Sequence, residues 1–490
     1  MSTLDRQPSL VKADTTKEKP IDEVSLSSKD ESAELYLEQA VLAESGHSIN
    51  YRNCSWQRTA GLLFSEYICL AIMSFPWSYS VLGLIPGLIL TVFVALTVLY
   101  TGIIICDYCA AYPHVTTVCD IGQHLFWGKK WAWYATAVCF LLNNTFIQAL
   151  HVLVGARYWT TISENYSLCA IVFAVITALI CFLMSLPRTF SSMSSVAYFS
   201  AITMFIAVIL AMVFAGIEDH PGHYTGLPVK YRLFPEKGTT YVAAMEAFLN
   251  IVYTFVGQIT YPSFISQMKR PKDFKKALYV VTLLELITFA LAGSIVYVYV
   301  GNAYMTAPAF GSLKTLYKKI SFSFALPTIL FLGALYGNVS SQFLFHNIFS
   351  HDSQHRNEHT LVGWGTWIGL NFGLWVLAFI IAEVIPFFSD LLSLMSSLFD
   401  CWFGFVFWGV AYFKLKRLHY RRQGEPNVTM GQIFKRATLV GKVEYVINLA
   451  LVAIGFYILG PGLYATVQSI IWSYQAGAYG KAFTCVSNGL

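Results

Sequence analysis

Apolar residues along the chain gather into eleven runs of about 20 residues, which is the length that an α-helix needs to cross a membrane. The runs are centred near residues 72, 97, 145, 176, 205, 252, 288, 336, 374, 402 and 456. Short polar stretches separate neighbouring runs. The pattern predicts an all-α polytopic membrane protein with 11 transmembrane helices.

Two of these runs are interrupted near their middle. The first break runs from Leu70 to Pro76, and the second runs from Phe255 through Gly257 to Pro262. In lipid a broken helix frees backbone N–H and C=O groups, which is tolerated only where protein, water or a ligand takes them up. Paired breaks at the start of two successive five-segment halves are typical of secondary transporters, which hold their substrate near the bilayer midplane. We therefore predict that helices 1 and 6 are broken.

Composition supports a membrane protein. Hydrophobic residues make up 56% of the 490 residues and charged residues only 12%, which is unlike a soluble domain. The net charge of +5 comes from Lys and Arg in short loops between the apolar runs. Basic residues placed there orient a membrane protein rather than bind nucleic acid, so we expect a lipid bilayer and no nucleic acid among the partners.

The distribution of Lys and Arg also predicts the orientation. The loops at 269–276 and 414–442 are strongly basic and belong in the cytosol. One contrary signal comes from the exterior loop 301–321, which holds three lysines. We expect a multi-pass protein of the plasma membrane with a cytosolic N-terminus and an extracellular C-terminus.

Three regions follow from this orientation. Residues 1–57 are polar and predict a largely disordered cytosolic tail, residues 58–472 form the transmembrane transporter domain, and residues 473–490 form a short exterior tail. Four lysines of the tail are candidate sites for a ubiquitin ligase: Lys12, Lys17, Lys19 and Lys29. The alternative is that they are ordinary solvated charges. The exterior segments hold a glycosylation triplet at Asn165 and two cysteines, Cys169 and Cys485, between which a disulfide can form.

The residue sequences around both breaks are distinctive. The second continues from Phe255-Val256-Gly257-Gln258 through Tyr261-Pro262 to Gln267-Met268-Lys269-Arg270-Pro271, and the first is preceded by Trp56-Gln57 and Glu66. They resemble spans six and one of the amino acid/auxin permease family, within the amino acid/polyamine/organocation superfamily, and in particular its fungal neutral amino acid permeases. The resemblance extends from about residue 50 to 472 in span spacing. It implies a five-plus-five inverted repeat followed by an eleventh helix. Gln267 departs from the family, which usually has Glu there.

An amino acid carries a carboxylate and an ammonium, and a broken helix offers complementary ends to both. Backbone N–H groups from Met73 to Phe75 suit the carboxylate, and carbonyl groups near Leu70 and Val256 suit the ammonium. The predicted substrate-binding residues are Leu70, Ala71, Ile72, Met73, Ser74, Phe75, Phe255, Val256, Gly257, Gln258, Asn144 and Tyr336. The alternative is kinked packing helices, in which polar side chains join neighbouring spans without a substrate.

Acidic residues inside spans are the candidates for ion coupling, because an intramembrane carboxyl group is costly and therefore functional by default. Glu66 lies one turn before the first break and is the first candidate for proton coupling, and Glu285 is the second. A sodium site is the alternative, with oxygen ligands from Ser65, Ser340, Ser341 and backbone carbonyls. The resemblance favours protons. No cofactor and no resident metal are expected.

These observations predict a proton-coupled symporter that imports neutral, large aliphatic and aromatic amino acids, and not an enzyme. A vacuolar carrier of the same fold and a transporter-like amino acid sensor are the alternatives. A membrane-embedded enzyme built on His151 or His346 would need a nucleophile or acceptor arrangement that the sequence does not show.

Overall fold

The computed structural model describes residues 54–113, 115–164, 168–188, 194–350, 353–477, 483 and 485. Within these residues the chain is helical throughout, and β pairing is limited to an isolated bridge between Cys54 and Met268. The all-α prediction is confirmed. The predicted tail up to residue 53 with its candidate ubiquitin sites, the triplet at Asn165 and most of 473–490 lie outside the described residues.

Most helices follow one another with short connections, but residues 218–240 form a long one. In chain order the α-helices of the described ranges are α1 (Trp56–Tyr67), α2 (Phe75–Leu82), α3 (Leu84–Ala111), α4 (Val118–Leu125), α5 (Lys130–Ser163), α6 (Ala170–Ser185), α7 (Ser194–Ile217), α8 (Tyr241–Phe255), α9 (Tyr261–Ser266), α10 (Phe274–Val300), α11 (Thr315–Ile348), α12 (Gln354–Asn357), α13 (Leu361–Val384), α14 (Phe388–Met395), α15 (Phe407–Arg422), α16 (Met430–Arg436), α17 (Leu439–Tyr457) and α18 (Leu463–Gln475). A π-helical segment, Ser396–Val406, joins α14 to α15, and a second, Ile458–Gly462, joins α17 to α18.

Eight helical segments of the described chain are long and apolar enough to cross a membrane, or nine if the bent pair of α1 with Leu70–Leu82 is one span. Two further predicted runs coincide with shorter apolar helices, α6 and α8. Each apolar run of the sequence therefore falls on a helix or, near residue 72, on the break of the bent pair. The total of eleven crossings and the inverted repeat stay predictions.

The two broken segments lie at the centre of the packing. Helix α8 contacts α2, α14 and α18, whereas α10 packs against α1, α2 and α3. Helix α11 packs against α5 and α7. Large apolar side chains on the outer faces remain exposed, including Ile89, Phe199 and Leu283. Exposed apolar surface of this extent is what a lipid-facing bundle presents.

The long connection between α7 and α8 is fastened to the ends of two other helices. Leu84 N donates to Arg232 O at 3.0 Å, Ile85 N to Leu233 O at 3.0 Å and Asn302 N to Lys230 O at 2.9 Å. A disulfide joins Cys169, just before α6, to Cys485 in the C-terminal segment, as the sequence allows. These hydrogen bonds and the disulfide connect the segments on the side of the molecule where α6 and α8 begin.

Candidate functional site

The first break separates α1 from α2. Helix α1 ends at Tyr67, the backbone passes through a 3-10 turn at Leu70–Ser74, and α2 starts at Phe75. The two halves are bent by 45°. Pro76 stands in the first turn of α2, where its missing N–H leaves no further backbone group unsatisfied. The break predicted from the sequence is present.

The second break lies between α8 and α9. Helix α8 ends at Phe255, and α9 begins at Tyr261 with Pro262 in its first turn. Thr260 N donates to Gly257 O at 3.1 Å, so the intervening residues form a tight turn rather than a helix. The predicted second break is therefore also present.

The breaks place helix ends of opposite polarity at the centre of the bundle. Helices α1 and α8 end there, and the last carbonyl groups of a helix have no partner within it. Helices α2 and α9 begin there, and the N–H groups of their first residues bond to the turns before them, Phe75 N to Ile72 O and Tyr261 N to Gln258 O. The helix macrodipole makes the ends of α1 and α8 partly negative and the starts of α2 and α9 partly positive. Helix ends of both polarities therefore meet at the breaks.

A cavity of about 60 Å³ lies beside the breaks. The broken segments contribute Glu66, Tyr67, Cys69, Tyr253, Thr254, Val256, Gly257 and Ile259. Three unbroken spans contribute Asn143, Ile147, Tyr336, Asp400 and Phe403. Its volume exceeds the about 10 to 15 Å³ that one water-sized group requires. None of these lining residues, all within the described ranges, is basic.

Glu66 connects three elements at this cavity. Its Oε1 accepts a hydrogen bond from the Tyr336 hydroxyl of α11 at 2.9 Å, and its Oε2 accepts one from the Thr260 hydroxyl at 3.2 Å. Beside it the hydroxyl groups of Tyr67 and Tyr261 share a hydrogen bond of 2.6 Å, which joins α1 to α9. Glu285 is buried on α10 and does not line the cavity.

The predicted substrate residues divide into two sets. Val256, Gly257 and Tyr336 line the cavity together with Glu66. The others are buried in the packing behind the cavity wall: Leu70, Ala71, Ile72, Met73, Ser74, Phe75, Phe255, Gln258 and Asn144. Gln258 Nε2 donates to the Thr101 hydroxyl at 3.0 Å, so its side chain joins the second break to α3.

Some lining residues were not among the predicted substrate residues. Tyr67 and Phe403 look like ordinary packing residues in sequence, and no pattern singles them out. Asp400 carried a visible signal, because it is an acid inside an apolar run. Asn338, a polar residue in the same span as Tyr336, instead donates to Ser185 O at 2.9 Å and joins α11 to α6.

Comparison with known proteins agrees with this architecture. Residues 52–450 match the family described as transmembrane amino acid transporter protein. The chain belongs to this family. The resemblance to amino acid/auxin permeases is thereby confirmed, and the family is one of membrane transporters, not enzymes.

Individual relatives of this transporter family member cover most of its length. A Neurospora crassa protein named N amino acid transport system protein is 31% identical over 446 residues, which are 90% of either chain. A Gibberella moniliformis protein named transmembrane transporter is 27% identical over 456 residues, 91% of this chain and 90% of its own. The solved structure of MhsT in complex with L-phenylalanine covers 82% of this chain and 98% of its own, with 13% identity and a TM-score of 0.49.

Proposed function

We propose that this family member is a proton-coupled symporter that imports neutral, large aliphatic and aromatic amino acids across the plasma membrane. The observation that carries the proposal is the position of Glu66: it lies in the last turn of α1 just before the first break, lines the cavity and hydrogen-bonds to two other elements. A proton on Glu66 is therefore placed to affect both the substrate and the helices around it.

Protonation changes what Glu66 can do chemically. An ionised carboxylate only accepts hydrogen bonds, whereas a protonated carboxyl group has one O–H donor and fewer acceptor positions. The ionised form suits both hydroxyl donors, Tyr336 on α11 and Thr260 before α9. The protonated form must turn one of these bonds around or lose it. Proton binding at Glu66 thus alters how α1 is attached to α9 and α11, which is the link that coupled transport requires.

The charges at the site support a neutral substrate. Paired helix ends complement the carboxylate and the ammonium without a fixed cation. The two acids on the cavity, Glu66 and Asp400, repel an anionic side chain. Glu66 is already bonded to two hydroxyl groups, so a second cation on the substrate would compete with the α-ammonium group for the same negative groups. The pocket therefore favours zwitterions with uncharged side chains.

Competition of labelled uptake tests this preference. We expect excess unlabelled Leu or Phe to suppress uptake of labelled Phe strongly, and Lys, Arg, Asp or Glu to leave it nearly unchanged. The physical reason is the unpaired charge that a charged side chain would bury in the cavity. Strong inhibition by Arg or Glu would rule out a neutral pocket.

A second expectation concerns orientation, which rests on the basic loops and on the disulfide between Cys169 and Cys485. Disulfides persist in oxidising compartments, which supports an exterior position for both cysteines. Impermeant protease or antibody applied to intact cells should reach a tag fused after Leu490 and spare one inserted into the loop 423–429. A protected C-terminal tag with an accessible loop tag would reverse the orientation.

Accumulation decides between carrier and sensor. Cells that express the protein should concentrate labelled Phe above its external level, and collapse of the proton gradient with a protonophore should abolish the excess. Binding without accumulation would indicate a sensor. The location of a fluorescent fusion at the N-terminus distinguishes a plasma-membrane protein from a vacuolar one.

A further inference from the structure

The span from α14 to α15 changes helix type beside the cavity. Between these α-helices the backbone is π-helical over Ser396–Val406. Such segments are rare and occur often at functional sites, because the wider turn re-aims side chains. Asp400 lies in the middle of this segment, and both Asp400 and Phe403 line the cavity. An acid thus reaches the site from a span that has no part in the broken helices.

The two acids of the cavity differ in their hydrogen bonding. Both carboxylate oxygens of Glu66 accept from protein hydroxyl groups. Asp400 is 5% exposed, and its Oδ2 has no hydrogen-bond donor within the described chain. A buried carboxylate oxygen without a donor costs free energy that a bound N–H group would recover. Of the two acids that line the cavity, Asp400 is therefore the one with a carboxylate oxygen that lacks a donor.

The surroundings determine the charge of that ligand. The cavity is lined by the last turns of α1 and α8, through residues such as Tyr67 and Tyr253, and these are the partly negative ends of the two helices. Two acids add to this potential, and no lining residue is basic. A carboxylate placed beside Asp400 would be repelled by these groups. An ammonium group, with three donors and a positive charge, fits both the potential and the vacant acceptor.

We propose that Asp400 binds the α-ammonium group of the substrate through a charge-assisted hydrogen bond. The proposal rests on the proposed function, since it takes an amino acid as the substrate. It assigns separate roles to the two acids: Asp400 recognises the ligand and Glu66 carries the proton. It also gives the site a fixed requirement for a cationic nitrogen in every substrate, whatever the side chain.

Ligand analogues test the requirement in the wild-type protein. Binding of labelled L-phenylalanine to protein in lipid nanodiscs is measured in competition with two relatives, L-phenylalanine methyl ester and 3-phenyllactate. The ester keeps the ammonium group, and phenyllactate replaces it with a hydroxyl. We expect the ester to compete and phenyllactate to compete roughly 10- to 100-fold more weakly than phenylalanine, the difference that one hydrogen bond to a charged group makes. Equal competition by phenyllactate and phenylalanine would overturn the proposal.

Variants test the residue. Asp400→Asn should raise the Kd for phenylalanine roughly 10- to 100-fold and should lose the discrimination against phenyllactate, while the pH dependence assigned to Glu66 is retained. Asp390→Asn is the matched control, because Asp390 is also buried in this span with an unpartnered Oδ1 but does not line the cavity. It should leave the Kd unchanged. Melting temperatures report on folding for each variant.

If Asp400→Asn does not fold, Asp400→Glu provides the test, since it keeps the charge and moves it by one methylene. It should retain discrimination against phenyllactate with a changed Kd, and loss of that discrimination would contradict the assignment. Wild-type protein that binds none of the amino acids would refute the proposed function instead. An Asp400→Asn variant that binds phenylalanine normally refutes only the role of Asp400.

Discussion

Replacement of Glu66 by Gln should flatten the rise of amino acid uptake with falling external pH. Gln has nearly the same shape and can still accept a bond from Tyr336 or Thr260, the two partners of Glu66, so folding and surface delivery should stay near normal. It cannot take up or release a proton. We expect net accumulation to fall to nearly the external level, while exchange of internal for external substrate is better preserved, because exchange needs no proton release.

The measurement compares initial uptake and exchange rates across a series of external pH values, normalised to protein at the cell surface. Glu358→Gln is a suitable control, since Glu358 is an exposed acid outside the spans. It should keep the wild-type pH profile. An unchanged profile in Glu66→Gln would move the coupling role to Glu285 or another buried acid.

Replacement of Gly257 by Val should abolish uptake. A side chain at this position crowds the backbone that approaches the ligand. The structure adds a direct cause: a Cβ at position 257 would lie 2.2 Å from the Tyr67 hydroxyl oxygen and 2.6 Å from the adjacent ring carbon. Displacement of the Tyr67 hydroxyl weakens its bond to Tyr261, so even Gly257→Ala should disturb this link between α1 and α9. Overpacking of this kind costs about 1 to 3 kcal/mol.

Radiolabelled uptake normalised to surface protein measures the loss for both substitutions. Gly369→Ala is the matched control, because nothing lies within 4 Å of a Cβ built at this position in α13. It should transport at the wild-type rate. Conservative changes at Phe255, which is fully buried behind the cavity, should instead shift preference among neutral substrates. Normal uptake by Gly257→Ala would show that the contact with Tyr67 tolerates displacement.

The spans and both breaks could be predicted because their signals are local. A run of apolar residues, or a proline at the start of a half-helix, can be recognised within a short stretch of sequence. The partners of Glu66 have no such signal: Tyr336 is 270 residues away, and Thr260 is 194 residues away. Only the packing of α11 and α9 against α1 brings them together.

The residues that line the cavity could not be predicted fully from the sequence either. Asn144 is one of the predicted substrate residues, but the structure places its neighbour Asn143 on the cavity and buries Asn144, because neighbouring helical residues face directions about 100° apart. Sequence periodicity did not determine which face of α5 is turned inward. The π-helical segment that carries Asp400 likewise has no characteristic composition. The only signal in the sequence was an acidic residue inside an apolar run.

The bridge between Cys54 and Met268 joins the chain just before α1 to the end of α9. Cys54 N donates to Gln267 O at 3.2 Å, and Lys269 N donates to Cys54 O at 3.0 Å. Separation of α1 from α9 must break both bonds, which are together worth about 1 to 3 kcal/mol. They therefore favour the arrangement in which α1 and α9 are joined over the separated one by a factor of roughly 5 to 150. Because both bonds use only backbone atoms, they do not depend on the side chain at position 267, where the resemblance implies Glu and this chain has Gln.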